Sequence, residues 1–411
     1  MPIKWKSPDR FKPALVLKRI ESVRTVNDEG QASYTGLELD ECLPTIQSML
    51  QFPAAAAEVD VETLVWRALS QVGKELTPDA LLRALNRALD DKLAVRETDY
   101  VLLTSLSIDP HGLPRKQKVL HCEIELRPND YPRKFISREE VLKQHRVSTA
   151  DTPPNYCRLV AKVRAKSDNS AFHKTMQAVD LLRALLCLMA NSRMQFTHGS
   201  PSLDPINAIR TGSRHTVHLS DGTSSRDGLW YEPNFTPAKP YKFQKPKVAV
   251  ENLRWALRLI KSSNYQQPLI ASLLRFVRAL DQADPNTAFL RLWSALEGLT
   301  TPGVADYDKL IRRSAFLFKD HTYHQQVLEH LRSYRNANVH AGEESENARI
   351  HCFQLQMYFV NVAWFYIRNS THFSSLEEAG QFLDLPPDPA ELRRRLVFIK
   401  RAIKFTSPSD A

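Results

Sequence analysis

The sequence predicts an α+β protein in which a mixed α/β region, residues 1–247, precedes an all-α helical bundle, residues 248–411. Three observations carry this. Strand-like alternation is confined to the first 247 residues, a stretch rich in Gly, Ser, Asp and Pro runs through 192–247, and beyond it successive segments place apolar residues at helical spacing. With 411 residues, 43% hydrophobic and 25% charged, the chain is long enough for two or three domains with cores of their own.

Residues 60–93 predict helices. Leu64, Ala68 and Leu69 recur at helical spacing, and Thr77-Pro78, an N-cap followed by a first-turn proline, precedes Leu81, Leu82, Leu85 and Leu89. Segments 100–108 and 118–126 alternate or run apolar, and the turn cluster Asp109-Pro110-His111-Gly112-Leu113-Pro114 between them predicts a hairpin. Residues 157–165 read as a third strand, and 172–189 as a helix with Ala178, Leu181, Leu182, Leu185 and Met189 on one side. Gly199-Ser200-Pro201, Asp221-Gly222-Thr223-Ser224-Ser225 and four further prolines then place the domain boundary at 247/248. Helical patterns follow over 248–261, 266–281, 286–299, 306–319, 323–340 and 346–369. A last amphipathic helix, 391–404, puts Leu392, Leu396, Ile399 and Ile403 on one side, which is expected to dock on the body.

The formal net charge of +10 favours an anionic partner, nucleic acid first. The surplus lies in both halves: residues 109–174 carry 14 Lys/Arg against 8 Asp/Glu, so a basic patch around Arg115, Lys116, Lys118, Arg127, Arg133, Lys134 and Arg138 is a second candidate nucleic-acid contact. Five cysteines, odd in number and without a CxxC pair, indicate neither a disulfide framework nor a zinc site, and a reducing compartment, the cytoplasm, is expected. The start of the chain lacks the apolar core of a secretory signal, and no apolar run reaches the roughly 18 residues a membrane span needs. Walker A, nucleotidyltransferase and Gly-x-Gly-x-x-Gly signatures are missing, which argues against a nucleotide-driven motor or a dinucleotide enzyme. His215 and His218 invite a metal reading, but residues three apart on a strand face opposite ways and no third ligand lies near, so hydrogen-bonded or solvated histidines are expected. His321, His324 and His330 are expected on the surface.

The chemistry concentrates at Arg335-Asn336-Ala337-Asn338-Val339-His340. Arg carries a permanent, planar charge that matches phosphate oxygens, and His exchanges a proton near neutrality. A ribonucleotide chain cut by its own 2′-OH needs those two services and no metal. On an unbroken helix the two residues are offset by about 140°. Gly342 is a natural left-handed helix stop, which puts His340 in the last turn, where the carbonyl end favours imidazolium. Glu297, four residues after Trp293 on a core-facing stripe, needs a partner, and Arg335 is the partner expected. Tyr334 and Asn336 flank the arginine, ready to hydrogen-bond the scissile phosphate or orient His340.

Phe289-Leu290-Arg291-Leu292-Trp293-Ser294-Ala295-Leu296-Glu297-Gly298-Leu299, then Lys309-Leu310-Ile311-Arg312-Arg313-Ser314-Ala315, then Tyr334-Arg335-Asn336 through Val339-His340-Ala341-Gly342 resembles the HEPN superfamily, and within it the Apea-like HEPN domains of bacterial defence proteins. The likeness covers about residues 248–370. It implies a metal-independent endoribonuclease without cofactor, working as a homodimer with Arg/His pairs facing across a shared cleft and leaving a 2′,3′-cyclic phosphate and a 5′-OH. Arg335 and His340 would be catalytic, Asn336 the polar residue after the motif arginine, and Glu297 the acidic helix residue. Arg312 and Arg313 would line the cleft, one of them as a structural ion pair, while Arg393 and Arg394 on the tail would steer the RNA backbone. Ala341 departs from relatives in which His directly precedes Gly. The resemblance further implies a toxic effector of abortive infection, with a phage-derived trigger at the amino-terminal region. HEPN domains that bind RNA or a protein partner without cleaving, or that only dock a nucleotidyltransferase, stay open as alternatives.

Overall fold

The computed structural model describes residues 2–406 except 8, 28–31, 74, 146–152, 154, 195–204, 234 and 305; Gly199-Ser200-Pro201 thus lies outside the described residues. The architecture is α+β, as the pattern predicts. Two compact units emerge: Met1–Val101 with Val163–Lys174 and Val217–Gly228, and Leu102–Lys162 with Thr175–Thr216 and Leu229–Ala411.

The chain begins with β1 (Lys4–Trp5), α1 (Pro13–Glu21), β2 (Arg24–Val26), β3 (Ala32–Tyr34), α2 (Glu38–Met49), β4 (Leu50–Gln51), α3 (Val61–Gln71) and α4 (Pro78–Ala94). Their apolar faces meet in one core that holds Ile20, Ile46, Leu64, Leu69, Leu81 and Leu85. The reading of Thr77-Pro78 holds: the Thr77 hydroxyl accepts from the Ala80 amide at 3.2 Å, with Pro78 at the first helical position.

Next come β5 (Thr98–Leu106), β6 (Lys116–Val119), β7 (Cys122–Arg127), α5 (Ser137–Gln144), β8 (Cys157–Ala165), α6 (Asp168–Ala190), β9 (Arg214–Leu219) and β10 (Ser224–Tyr231). The strands order as β10-β9-β5-β8-β7-β6. This corrects the expected hairpin, because β8 stands between β5 and β7 and the hairpin is instead β6 with β7, paired from Lys116↔Glu125 to Val119↔Cys122. The segment 118–126, expected as one strand, is folded back at Leu120, whose φ of +52° is left-handed without the glycine or asparagine that would announce such a turn.

The helices α7 (Pro246–Lys261), α8 (Gln266–Ala279), α9 (Pro285–Thr300), α10 (Tyr307–Ala315), α11 (His321–Ala341) and α12 (Ala348–Arg368) match the predicted patterns, and α13 (Leu376–Leu383) and α14 (Pro389–Thr406) follow. α9 packs against both α8 and α12. Its Phe289, Leu292, Trp293 and Leu296 are buried, and Phe276 stacks on Phe359 with ring centres 4.5 Å apart. Asp284, Asp306 and Asp320 cap the starts of α9, α10 and α11 by accepting backbone N–H groups. Among the described residues, no helix is long and apolar enough to cross a membrane.

Two expectations are corrected here. The cut at 247/248 does not separate compact units, since residues 102–162, 175–216 and 229–247 belong with the helices. A buried charge network explains why. Arg183, on α6 and wholly buried, binds Asp180 at 2.7 Å and both carboxylate oxygens of Asp281 at 2.8 Å, beyond the end of α8. Arg278 on α8 reaches Asp180 and Glu232 at 2.6 Å each, and Asn207 donates to Asp281 at 2.9 Å. The second correction concerns α14. No residue of it is buried, and Leu396, Ile399 and Ile403 are 50%, 56% and 57% exposed.

Candidate functional site

Arg335, Asn336 and His340 all lie on α11, which runs unbroken to Ala341 and stops at Gly342. Gly342 adopts the expected left-handed conformation, φ 68° and ψ 19°, and its amide bonds the Asn338 carbonyl at 3.1 Å. His340 therefore sits in the last turn and is exposed. Because the helix is continuous, Arg335 and His340 keep their offset of about 140° around its axis, and one copy of the chain does not turn both toward the same side.

Arg335 is half-buried and lies over the ring of Tyr307 on α10, with its guanidinium carbon 5.0 Å from the ring centre. Its Nη1 donates to the Asn336 side-chain oxygen at 3.3 Å. The expected contact ion pair with Glu297 does not form: Arg335 and Glu297 approach no closer than 4.0 Å, and the guanidinium lies over Tyr307. Their charges still meet. Burial pushes the Glu297 carboxyl above its ordinary range, and Arg335 and Arg275 pull against that shift without reversing it. Gly298 beside it sits close to α8, where an added Cβ would lie 2.6 Å from the Ser272 hydroxyl.

Tyr334 is turned into the bundle. Its hydroxyl donates to the Asn286 side-chain oxygen, its ring lies 4.8 Å from Phe289 and 4.7 Å from His351, and burial raises its pKa to about 12. A hydroxyl so engaged has no proton to offer an RNA phosphate, which corrects its expected role. Arg312 and Arg313 are both in ion pairs. Arg312 meets Asp384 at 2.7 Å, and the buried Arg313 meets Asp384 at 2.7 Å and Glu377 at 3.2 Å while donating to the Thr300 carbonyl at 2.5 Å. Gly380 makes room for it, since a Cβ there would collide with the guanidinium. Of the two, only Arg312 has any open surface. Arg393 and Arg394 are exposed on α14, and Arg394 pairs with Glu391 at 2.8 Å.

The histidines outside the motif are partly structural. His215 and His218 are buried on β9, and His215 shares a hydrogen bond with Thr104 at 2.7 Å and faces Glu232 at 3.4 Å. His324, expected on the surface, packs 4.0 Å from the Phe318 ring and bonds Tyr358, and burial lowers its pKa. His330 is exposed, with its ring 5.1 Å from that of His351. Tyr307, Asn286 and His351, which hold or border the motif, were not foreseen; their roles depend on contacts across 17 to 48 positions of chain that no local pattern announces.

Compared with protein-family models, with curated proteins and with solved structures, the chain matches none. The likeness to HEPN domains rests on the residues themselves.

Proposed function

We propose that the chain is a metal-independent endoribonuclease of HEPN type, acting in the cytoplasm as the toxic effector of a bacterial anti-phage, abortive-infection system. The observation that carries this reading is the Arg335–His340 motif in the closing turns of a capped bundle helix, with the arginine held over Tyr307 and the histidine open to solvent. His340 exchanges a proton with the 2′-OH or the departing 5′-oxygen, and Arg335 stabilises charge on the phosphorane-like transition state. Asn336 and Glu297 position the guanidinium, one by a hydrogen bond and one by charge. The tail arginines Arg393 and Arg394 supply salt-dependent attraction to the RNA backbone. The products are a 2′,3′-cyclic phosphate and a 5′-OH, and the working form is a homodimer.

A second reading, a HEPN module that binds RNA or a protein partner without cleaving, is favoured by the offset of Arg335 from His340 within one copy. Purified protein incubated with total RNA in excess EDTA separates the two. Cleavage that persists under chelation and drops by about a hundredfold or more in His340→Ala and Arg335→Ala is the result expected, in line with the weight of one acid–base or charge-stabilising group. Cleavage abolished by EDTA, or undiminished in His340→Ala, overturns the assignment. Binding without product in the wild type favours the second reading.

A further inference from the structure

Beside α5, in the second compact unit, lies a half-open cleft of about 510 Å³. Four guanidiniums line it, those of Arg133, Arg138, Arg158 and Arg214, against the carboxylates of Asp130 and Glu139. Two of the arginines are held in place before any ligand arrives. Arg138 is half-buried and donates to the carbonyls of Leu103 at 3.2 Å and Arg214 at 3.4 Å and to the Thr216 hydroxyl at 2.5 Å, all neutral acceptors. Arg138 and Arg158 also lie 4.9 and 5.8 Å from the centre of one ring, Tyr131, which is itself fixed by its hydroxyl donating to the Thr104 carbonyl at 2.7 Å.

The arginines buried most deeply in this chain, Arg183, Arg210 and Arg313, all meet carboxylates. Arg127, next to this cleft, meets Glu125 at 2.8 Å. Arg133, Arg138 and Arg158 have no carboxylate within 4.0 Å among the described residues. A partly enclosed cation without a counter-charge is costly, and an anion entering the cleft removes that cost. The planar fork of arginine suits phosphate oxygens in particular. Pro132 and Ile136, the latter 70% exposed, add an apolar wall to the same cleft. A lining that combines guanidinium groups with apolar surface matches a molecule that joins phosphate to a flat heterocycle, and the volume falls in the range of roughly 300–1,000 Å³ that small ligands occupy.

We propose that this cleft binds the phosphate groups of a nucleotide, free or at the end of an RNA strand, with the base against Pro132 and Ile136. The site is separate from the Arg335–His340 motif and does not depend on the nuclease reading. Isothermal titration of the full-length protein tests it, with two probes: ATP, and a 2′-O-methyl hexanucleotide with or without a 5′-phosphate, which self-cleavage chemistry cannot cut. Binding by either phosphate-bearing probe, weakened about tenfold in both Arg158→Ala and Arg133→Ala, is expected from the loss of one charge-assisted pair. ATP binding identifies a free nucleotide; binding of the 5′-phosphorylated strand alone identifies an RNA end. The proposal is overturned if neither probe binds, if both variants bind as the wild type does, or if triglutamate peptide displaces the probe equally well. Should Arg158→Ala lose its cooperative melt, the exposed Arg133 decides the matter by itself.

Discussion

At the scale of the residue, Arg335 shows how a catalytic candidate is positioned by neighbours of another kind. Its guanidinium is attracted to the Tyr307 ring and to the Asn336 amide oxygen, while Glu297 acts on it through space. Burial, stronger than the pull of Arg335 and Arg275, keeps the Glu297 carboxyl above its ordinary value of 4.5. A carboxyl whose native pKa is raised binds its proton more tightly in the fold than in the unfolded chain, so stability falls as pH rises from the ordinary value to the raised native one and stays at that lower level above it. Glu297→Gln, neutral at every pH, is therefore expected to melt higher than the wild type at pH 7 and alongside it at about pH 4, where the wild-type carboxyl is protonated. Thermal melts at both pH values check this; a lower melting temperature at pH 7 would mean that the two arginines outweigh burial. The motif arginine, asparagine and histidine were legible because they are consecutive or nearly so. Tyr307 and Asn286 were not, because what defines their role is a neighbour on another helix.

At the scale of the element, helix ends were the most legible features. Thr77-Pro78 and Gly342 each do locally what their chemistry dictates, with bonds spanning no more than a few residues. The strand order was illegible for the opposite reason: pairing β8 between β5 and β7 is a long-range choice, and the reversal at Leu120 uses a residue that carries no turn signal. The amphipathic pattern of α14 was read correctly and its docking was not, since periodicity says that a face is apolar and does not say what covers it. Equally hidden was the network joining α6 to α8. Arg183 sits in an apolar helix pattern and gives no sign that Asp281, 98 residues on, completes it. Asp281→Ala leaves Arg183 with Asp180 as its carboxylate partner, removes the ion pair to Arg210 and takes from Asn207 one acceptor while the Val277 carbonyl remains, and it is expected to cost about 3–5 kcal/mol, the usual penalty for orphaning one member of a buried pair. Urea unfolding at pH 7 measures it, and a loss below about 1 kcal/mol would show that water replaces the missing carboxylate.

At the scale of the whole molecule, the fold class was legible and the cut at 247/248 was not, because the segments on either side of it share one compact unit. Composition marked a change of texture, and texture tracks loops more faithfully than it tracks contacts. The same scale governs the chemistry. Along α11, Arg335 and His340 are separated by about 7.5 Å of rise as well as by their angular offset, so a single copy presents them to different surroundings. A two-fold dimer of the kind proposed would solve this by bringing the arginine of one protomer to the histidine of the other, and isologous symmetry would then build two such composite sites. Mixing Arg335→Ala with His340→Ala tests the arrangement, given the nuclease reading. Neither variant alone holds a complete site. Random reassociation makes half of the dimers mixed, and each mixed dimer carries one intact arginine–histidine pair, so about a quarter of the wild-type cleavage rate is expected to return. Pairs assembled within a protomer would give no recovery at any mixing ratio. Recovery that falls away as the protein is diluted would further tie the activity to association, because dilution separates the protomers while leaving each folded chain intact.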